Sequence, residues 1–277
     1  MLNDSSISSP AAILEVRNLT KIFSPRGVFS GRGHVCALNN IDMEIFAGRT
    51  LSLVGETGSG KSTLARCLVR LEEVTSGEIW FEGADFRALA GARLRCARRR
   101  IQLIFQEAMS ALNPRFSARE IIAEPLVLAG QANSALEHRV NSLMDDVGLP
   151  HAWLKRRAHQ FSGGQKQRLA LARALAADPK VIILDEALSG LDLSVQGQMI
   201  NLLLDLQERR QVAYLFVTHD LSLAATVADE IAVIKSGAIV EQSAALHLFE
   251  HPRHPYTQSL LAVMQKTAML EEASPTA

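Results

Sequence analysis

The segment at residues 55–62, GETGSGKS, most constrains what this chain can fold into. It fits the pattern G-x-x-x-x-G-K-[ST], follows the apolar run at residues 51–54 and precedes a predicted helix from residue 61 to about residue 71. Glycines let a backbone turn tightly enough for its N–H groups to point at phosphate oxygens, and the dipole of the following helix adds positive potential there. We therefore predict a site for nucleotide phosphates at Gly55, Glu56, Thr57, Gly58, Ser59, Gly60, Lys61, Ser62 and Thr63.

Two side chains of this segment have distinct expected roles. Lys61 would reach the β- and γ-phosphates, and the Ser62 hydroxyl would be a ligand of Mg²⁺. The alternative is a glycine-rich turn before an ordinary helix, since the pattern arises by chance in roughly one chain in a hundred of this length. The strand before the segment and the helix after it favour the nucleotide site.

A second apolar run, residues 181–184, ends in two carboxylates, Asp185 and Glu186. Parallel sheets bind ligands at the carboxyl ends of their strands. We expect Asp185 to hold Mg²⁺, directly or through water, and Glu186 to position or deprotonate the water that attacks the phosphate. Two acidic residues at a strand end can equally be a cap of the next helix, but the phosphate segment upstream favours the catalytic role.

Residues 161–165, FSGGQ, precede a predicted helix that runs to about residue 176. Ser162 and Gln165 have the spacing of a capping box, and Gly163 and Gly164 would expose backbone N–H groups at a helix start. An ordinary helix cap needs no glycines, so we interpret the segment as a second contact for an anion. One nucleotide does not need two such sites from one chain. The pattern therefore predicts a dimer in which this helix start faces the partner's nucleotide.

Composition excludes several classes of protein. With 29 basic and 29 acidic side chains the net charge is zero, which argues against attachment to nucleic acid or anionic lipid by bulk electrostatics. No apolar run approaches the ~18 residues of a membrane-spanning helix, and the serine-rich residues 1–10 lack the pattern of a secretory signal. Cys36, Cys67 and Cys96 have the spacing of neither a disulfide framework nor a metal site, which fits a reducing cytoplasm.

Short apolar strands alternate with helices along the chain, which predicts a parallel sheet covered on both faces. From about residue 107 to residue 160 the pattern is mainly helical and is broken by Pro114, Pro125 and Pro150. The arginines between Arg93 and Arg100 are expected on the solvated face of a helix, because the overall charge is zero and no aromatic residues alternate with them as in nucleic-acid binding.

Together these motifs resemble the nucleotide-binding subunit of ATP-binding cassette (ABC) transporters, over about residues 13–262. The resemblance implies ATP and Mg²⁺ as cofactors. It also implies an α/β fold: a P-loop NTPase (RecA-like) core with an antiparallel β subdomain and an inserted α-helical subdomain. The implied divisions are a β and P-loop part at 13–105, a helical subdomain at 107–160, a part with the signature, Walker B and switch motifs at 161–245, and a C-terminal extension at 246–262. We expect residues 1–12 to be disordered and residues 263–277 to form a flexible tail.

The resemblance assigns further residues, each by its place in a motif. Gln106 matches the Q-loop glutamine, which is implied to contact the metal and to sense the γ-phosphate and the membrane partner. Asp192 ends the D-loop sequence SGLD, and His219 matches the switch histidine that contacts the γ-phosphate. Phe23 matches the aromatic residue that stacks on adenine, with Phe29 as the alternative.

The chain departs from the family pattern at three positions. Phe161 stands where the signature begins with leucine, Ala187 where many members have proline, and Gly190 where the D-loop usually has alanine. These changes are expected to affect coupling or rate, and they remove no catalytic group.

Residues 110–115 (SALNPR) and 251–257 (HPRHPYT) are similar to segments of importers for oligopeptides, dipeptides and nickel. This implies uptake of a peptide or of nickel, with a second, identical or different ATP-binding subunit, two membrane-spanning permease subunits and an extracytoplasmic substrate-binding protein. The chain would lie on the cytoplasmic side of the cell (inner) membrane as a peripheral protein, without nucleic acid. The alternative is a soluble ABC ATPase not linked to transport. Such chains usually fuse two cassettes or contain a long coiled coil, whereas this chain has one phosphate segment.

The C-terminal extension contains three histidines and two apolar clusters. His247, His251 and His254 suggest a metal site, but Pro252 and Pro255 break any helix that could align them. The lack of cysteine after Cys96 argues against an iron–sulfur centre. Two short clusters cannot bury themselves and should dock on the main domain; they are Leu246, Leu248 and Phe249, and Leu260, Leu261 and Val263.

Overall fold

An antiparallel sheet forms one layer of the computed structural model, which describes residues 11–24, 34–105, 112–131 and 133–272. Its strands are β1 (Ala12–Phe23), β2 (Val35–Phe46), β4 (Ser76–Phe81) and β5 (Ala84–Asp85), in the spatial order β2, β1, β4, β5. Ile41, Met43 and Ile45 are buried and the acidic residues between them are exposed, as the alternation predicts. β1 begins one residue before the predicted boundary at residue 13, and residues 1–10 lie outside the described residues.

A six-stranded sheet forms the layer that positions the site. Its strands are β3 (Thr50–Val54), β6 (Ile101–Ile104), β7 (Val181–Asp185), β8 (Ala213–Thr218), β9 (Glu230–Lys235) and β10 (Ala238–Ala244), in the spatial order β10, β9, β3, β8, β7, β6. All neighbouring pairs are parallel except β10 with β9. Val54 pairs with Thr218, and Asp185 pairs with Val217. The segments that follow β3, β7 and β8 therefore leave the sheet side by side.

Helices connect and cover these strands. They are α1 (Lys61–Leu68), α2 (Gly91–Arg100), α3 (Ala118–Leu128), α4 (Asn133–Asp146), α5 (Gly163–Ala176), α6 (Leu193–Arg210), α7 (Leu221–Val227), α8 (Ala245–Glu250) and α9 (Pro255–Glu272). α1 ends before the predicted residue 71 because Arg70 has a φ of 53°, which turns the chain out of the helix. Among the described residues, no helix combines the length and the apolar character needed to cross a bilayer.

The central strands β3, β7 and β8 are buried on both faces, as predicted for a parallel sheet. All of β7 is buried, and its residues alternate between two apolar clusters. Ile182 and Leu184 pack in the cluster formed with the helical region, whereas Val181 and Ile183 pack in the cluster shared with the antiparallel sheet. The strand end that carries the carboxylates is therefore fixed from both sides.

Pro125 does not break a helix, contrary to the prediction, because it lies inside α3. Proline inside a helix costs ~3 kcal/mol through a lost hydrogen bond and a steric clash. Here it falls in the second half of a helix whose Ile121, Ile122 and Leu126 are buried in the core of the helical region. A capping box at Ser117 also fixes the start of the helix. Packing and capping offset the local cost of the proline.

The C-terminal extension docks on the main domain. Leu248, Tyr256 and Leu261 are buried in a third apolar cluster that also contains Val54 and Leu221, and Phe249 and Leu260 pack against it. The prediction is wrong for Leu246 and Val263, which are 80% and 65% exposed, because the period of α8 and α9 turns them away from the sheet. The boundary predicted at residue 262 falls inside α9, and residues 273–277 lie outside the described residues.

Candidate functional site

The loop between β3 and α1 requires glycine at two positions. A Cβ on Gly55 would lie 2.3 Å from the carbonyl oxygen of Ile234. Gly60, the N-cap of α1, has a φ of 110°, and a Cβ there would lie 2.6 Å from the carbonyl oxygen of Ala37. The backbones of strand β9 and of the start of β2 thus approach the loop so closely that only glycine, which has no Cβ, fits at these two positions.

Lys61 is held inside this loop by hydrogen bonds to its backbone. Its Nζ donates to the carbonyl oxygens of Gly55 (2.8 Å) and Glu56 (2.9 Å), and the residue is 4% exposed. Burial lowers the pKa of Lys61, while the carboxylate of Glu186 opposes that shift. The buried hydroxyl of Ser59 has no hydrogen-bond partner among the described residues. A desolvated ammonium and an unpaired hydroxyl in one loop fit an incoming anion such as a phosphate.

Ser62 and Asp185 meet across the site. The Ser62 hydroxyl donates to Asp185 Oδ1 at 3.0 Å, so the first turn of α1 touches the end of β7. Burial raises the pKa of Asp185, and the hydrogen bond from Ser62 opposes that shift. A hydroxyl and a carboxylate are oxygen ligands of the kind that Mg²⁺ takes beside the phosphates of a nucleotide. The donor set therefore fits the predicted metal.

Glu186 and His219 complete the group of charged side chains. Glu186 Oε1 lies 4.0 Å from Lys61 Nζ and 3.5 Å from His219 Nδ1. Glu186 has a φ of 48°, its N–H donates to the carbonyl of Val217 at 2.9 Å, and its own carbonyl accepts from the Ser189 hydroxyl at 2.7 Å. The backbone of this residue is thus fixed on both sides.

Lys61, Ser62, Glu186 and His219 line one open cavity of about 590 Å³. Its lining combines the glycine-rich loop, Glu186 and His219 with residues that the sequence did not indicate. The unpredicted ones are Val35, Cys36, Ala37, Ser236 and Gly237. In the sequence, Ser236 and Gly237 signal only a tight turn between two strands. The turn belongs to the site because the Gly237 N–H donates to the carbonyl of Ser59 at 2.8 Å.

Phe23, the aromatic residue that the resemblance assigns, is not among the described residues that line the cavity. Phe23 pairs with Val35 at the cavity's edge, is 38% exposed and has Lys21 Nζ 4.5 Å above its ring. Gln106 and the alternative aromatic, Phe29, lie outside the described residues. Stacking on adenine and contact with the metal therefore stay predictions for these residues.

The segment at residues 161–165 forms the predicted capping box at the start of α5. The Ser162 hydroxyl accepts from the Gln165 N–H at 3.4 Å, and Gln165 Oε1 accepts from the Ser162 N–H at 3.0 Å. Ser162 and Gly163 are exposed, and in the described part of the chain none of residues 162–165 lines the cavity. Within one chain, then, the described residues of this helix start do not share the cavity of the phosphate loop.

This helix start packs against the first turn of α6 and the residue before its N-cap. A Cβ on Gly164 would lie 2.5 Å from Val195 Cγ1, and one on Gly163 would lie 3.6 Å from Leu191 Cδ2. Asp192 is the N-cap residue of α6. Phe161 is buried against Trp153 in an edge-to-face contact at 5.9 Å, so the phenylalanine at this position fills the core of the helical region.

Comparison with known proteins gives matches over most of the chain. The family model described as "ABC transporter" matches residues 38–189. The "Glutathione import ATP-binding protein GsiA" of Salmonella typhimurium is 47% identical over 258 residues, which are 91% of this chain and 41% of that protein. The "Dipeptide transport ATP-binding protein DppF" of Lactococcus lactis is 40% identical over 274 residues, 98% of this chain and 86% of that protein. The chain thus spans about two fifths of the glutathione protein.

Two solved structures have similar folds. The ATP-binding cassette MJ0796, solved as a dimer in "a post-hydrolysis state" bound to ADP and Pi, gives a TM-score of 0.74 at 28% identity, covering 84% of this chain and 98% of the other. The cbiO1 protein of Clostridium perfringens, described as part of the ABC transporter complex cbiONQ, gives a TM-score of 0.77 at 25% identity, covering 94% of this chain and 99% of the other.

Proposed function

The chain belongs to the ABC transporter family, and from this we propose that it is the ATP-hydrolysing subunit of an importer that takes up peptides. The observation that carries the proposal is the single cavity that brings Lys61, Ser62, Glu186 and His219 together, with Asp185 bonded to Ser62. A phosphate-binding cation, a pair of magnesium ligands and a carboxylate for the attacking water are the parts that phosphoryl transfer needs.

Each of these residues has a distinct role in ATP hydrolysis. Lys61 and the loop N–H groups hold the β- and γ-phosphates, and Ser62 and Asp185 would hold Mg²⁺, which would supply positive charge to the phosphate oxygens. Glu186 orients the attacking water and accepts its proton. His219, at 3.5 Å from Glu186, contacts the γ-phosphate. Positioning and charge stabilisation, rather than covalent chemistry, provide the acceleration.

Gln106 and Phe23 keep the roles that the resemblance implies. Gln106 contacts the metal and senses the γ-phosphate and the membrane partner, and Phe23 stacks on adenine. Support for the second role comes from the position of Phe23 at the edge of the cavity, beside Val35.

Two chains share each ATP in this proposal. The exposed residues Ser162 and Gly163, with Gly164 and Gln165 behind them, face the phosphates bound by the partner subunit, and Asp192 lies at the same interface. Support comes from the absence of residues 162–165 from the described lining of the chain's own cavity. The partner ATP-binding subunit is identical or different.

The names of the relatives support a peptide as the solute. One is named for import of glutathione and another for transport of dipeptides. Two membrane-spanning permease subunits and an extracytoplasmic binding protein select the solute, and the chain works beneath them on the cytoplasmic side of the membrane. Nickel remains an alternative solute with no support among these names.

Replacing Ser162 by arginine should lower ATP hydrolysis about tenfold or more, which corresponds to ~1.4 kcal/mol. The long cation would obstruct approach of the partner's nucleotide, whereas ATP binding to the isolated subunit should stay unchanged. Steady-state phosphate release and equilibrium ATP binding measure the two effects. Ser259→Arg adds the same side chain at an exposed position of α9 and is the matched control. Normal hydrolysis by the Ser162 variant would show that the site is not shared between subunits.

Co-purification tests the link to transport. A tagged chain, expressed in its own cells, should sediment with membranes and retain permease subunits encoded beside it, because the proposed motor acts through them. The tag alone is the control. Recovery with ribosomes or DNA, and not with membrane subunits, would instead support the soluble ABC ATPase and contradict the importer.

A further inference from the structure

The C-terminal extension touches the phosphate loop through one side chain. Tyr256, in the first turn of α9, accepts a hydrogen bond from the backbone N–H of Glu56 at 3.2 Å, although the two residues are 200 positions apart. Tyr256 is 7% exposed, so its ring is covered while its hydroxyl reaches the loop. A residue outside every nucleotide-binding motif is therefore in direct contact with the loop that forms the cavity.

Glu56 connects this contact to Lys61. Its carbonyl oxygen accepts from Lys61 Nζ at 2.9 Å and from the Ser59 N–H at 3.1 Å. The N–H of Glu56 thus donates to the C-terminal extension, and its carbonyl accepts from the phosphate-binding lysine. Fixing the N–H limits the rotation of this residue and, with it, the place at which the carbonyl holds Lys61.

The hydroxyl of Tyr256 is itself held in a fixed position. Lys235 Nζ lies 4.6 Å from the centre of the ring, and the Tyr256 N–H donates to His254 Nδ1 at 3.1 Å. The carboxylate of Glu241, on β10, accepts from the N–H groups of Arg253 (2.8 Å) and His254 (3.0 Å) just before α9. The segment that carries the tyrosine is therefore tied to the six-stranded sheet by hydrogen bonds as well as by its apolar cluster.

We propose that Tyr256 is a positioning residue for the phosphate loop, through which docking of the C-terminal extension sets the affinity for ATP. A loop that is already ordered loses less conformational freedom when a nucleotide binds. Without the hydroxyl, the loop would also populate conformations that cannot bind ATP. The apparent affinity for ATP would then fall in proportion to the fraction of molecules whose loop is still competent to bind it. The inference rests on the proposed function for the identity of the ligand.

Tyr256→Phe is the test, because it keeps the ring and removes only the hydroxyl that accepts from the Glu56 N–H. We expect the Kd and the KM for ATP to rise about threefold to tenfold, the effect of one hydrogen bond. The kcat should stay unchanged, because ATP at saturation restores the ordered loop. The Tm of the nucleotide-free protein should shift by less than about 2 °C. A residue with a merely structural role would move the Tm and leave Kd and KM alone.

The other tyrosine of the chain gives a matched control. The Tyr214 hydroxyl is buried on β8 and donates to the carbonyl of Leu203 at 3.0 Å. Tyr214→Phe should lower the Tm and leave the Kd for ATP unchanged. If the parent binds ATP and Tyr256→Phe binds it equally or more tightly, this inference is wrong while the proposed function stands. A parent that binds no ATP would overturn the proposed function and the inference together.

Discussion

Glu186→Gln should bind ATP with the affinity of the parent and lower its turnover by about a hundredfold to ten-thousandfold, the range for loss of a general base. The amide has the size of the carboxylate but cannot accept a proton from water. In the structure Glu186 Oε1 lies near Lys61 Nζ and His219 Nδ1, on the wall of the cavity. ATP should consequently accumulate between closed subunits. Phosphate release at saturating ATP, together with size-exclusion chromatography, measures both effects.

Glu208→Gln is the control for this experiment. It removes the same charge from an exposed position on α6 and should leave turnover unchanged. Turnover of the Glu186 variant within about threefold of the parent, far from the range above, would rule out Glu186 as the catalytic carboxylate.

Lys61→Ala should weaken ATP binding itself by about a hundredfold, in line with the loss of charged hydrogen bonds to the β- and γ-phosphates. The lysine is 4% exposed and its ammonium already lies in the loop. Ordering this side chain when ATP binds therefore costs the wild-type chain little conformational entropy. Removing it also leaves the carbonyls of Gly55 and Glu56 without this donor. Equilibrium titration with ATP at constant Mg²⁺ measures the loss.

Lys155→Ala separates the effect of the site from that of net charge. Lys155 is exposed, outside the cavity, and its removal changes the charge of the protein by the same amount. ATP affinity of the Lys61 variant within about threefold of the parent would show that the ammonium makes no charged hydrogen bond to the phosphates.

The sequence allowed the family, the fold class and the sheet that carries the site to be predicted, because these follow from strong local patterns. The comparisons confirm the resemblance and the fold class. The apolar runs before Gly55 and Asp185 are the strands β3 and β7, and both are buried throughout. Since parallel strands end at the same edge of a sheet, two motifs 123 positions apart meet in the bond between Ser62 and Asp185.

Other features could not be predicted, because they depend on contacts between distant segments. Pro125 is tolerated in α3 because neighbouring residues of that helix are buried and a capping box fixes its start. The contact between Tyr256 and Glu56 has no signature in either segment, since a tyrosine after a proline says nothing about the loop that it will touch. Leu246 is apolar yet exposed, because a helix of six residues buries one face and leaves the other to solvent.

Because Glu186 has a positive φ, selection for stability and selection for activity favour different residues at this position. A left-handed conformation costs a residue with a Cβ about 1–2 kcal/mol compared with the right-handed one, and glycine avoids most of that cost. Glycine has no carboxylate, so, under the role proposed for Glu186, the variant expected to fold best here is also one expected to hydrolyse ATP very slowly. Selection for heat tolerance alone would therefore favour substitutions at residue 186 that lower the ATPase activity. A directed-evolution screen needs turnover as a second criterion.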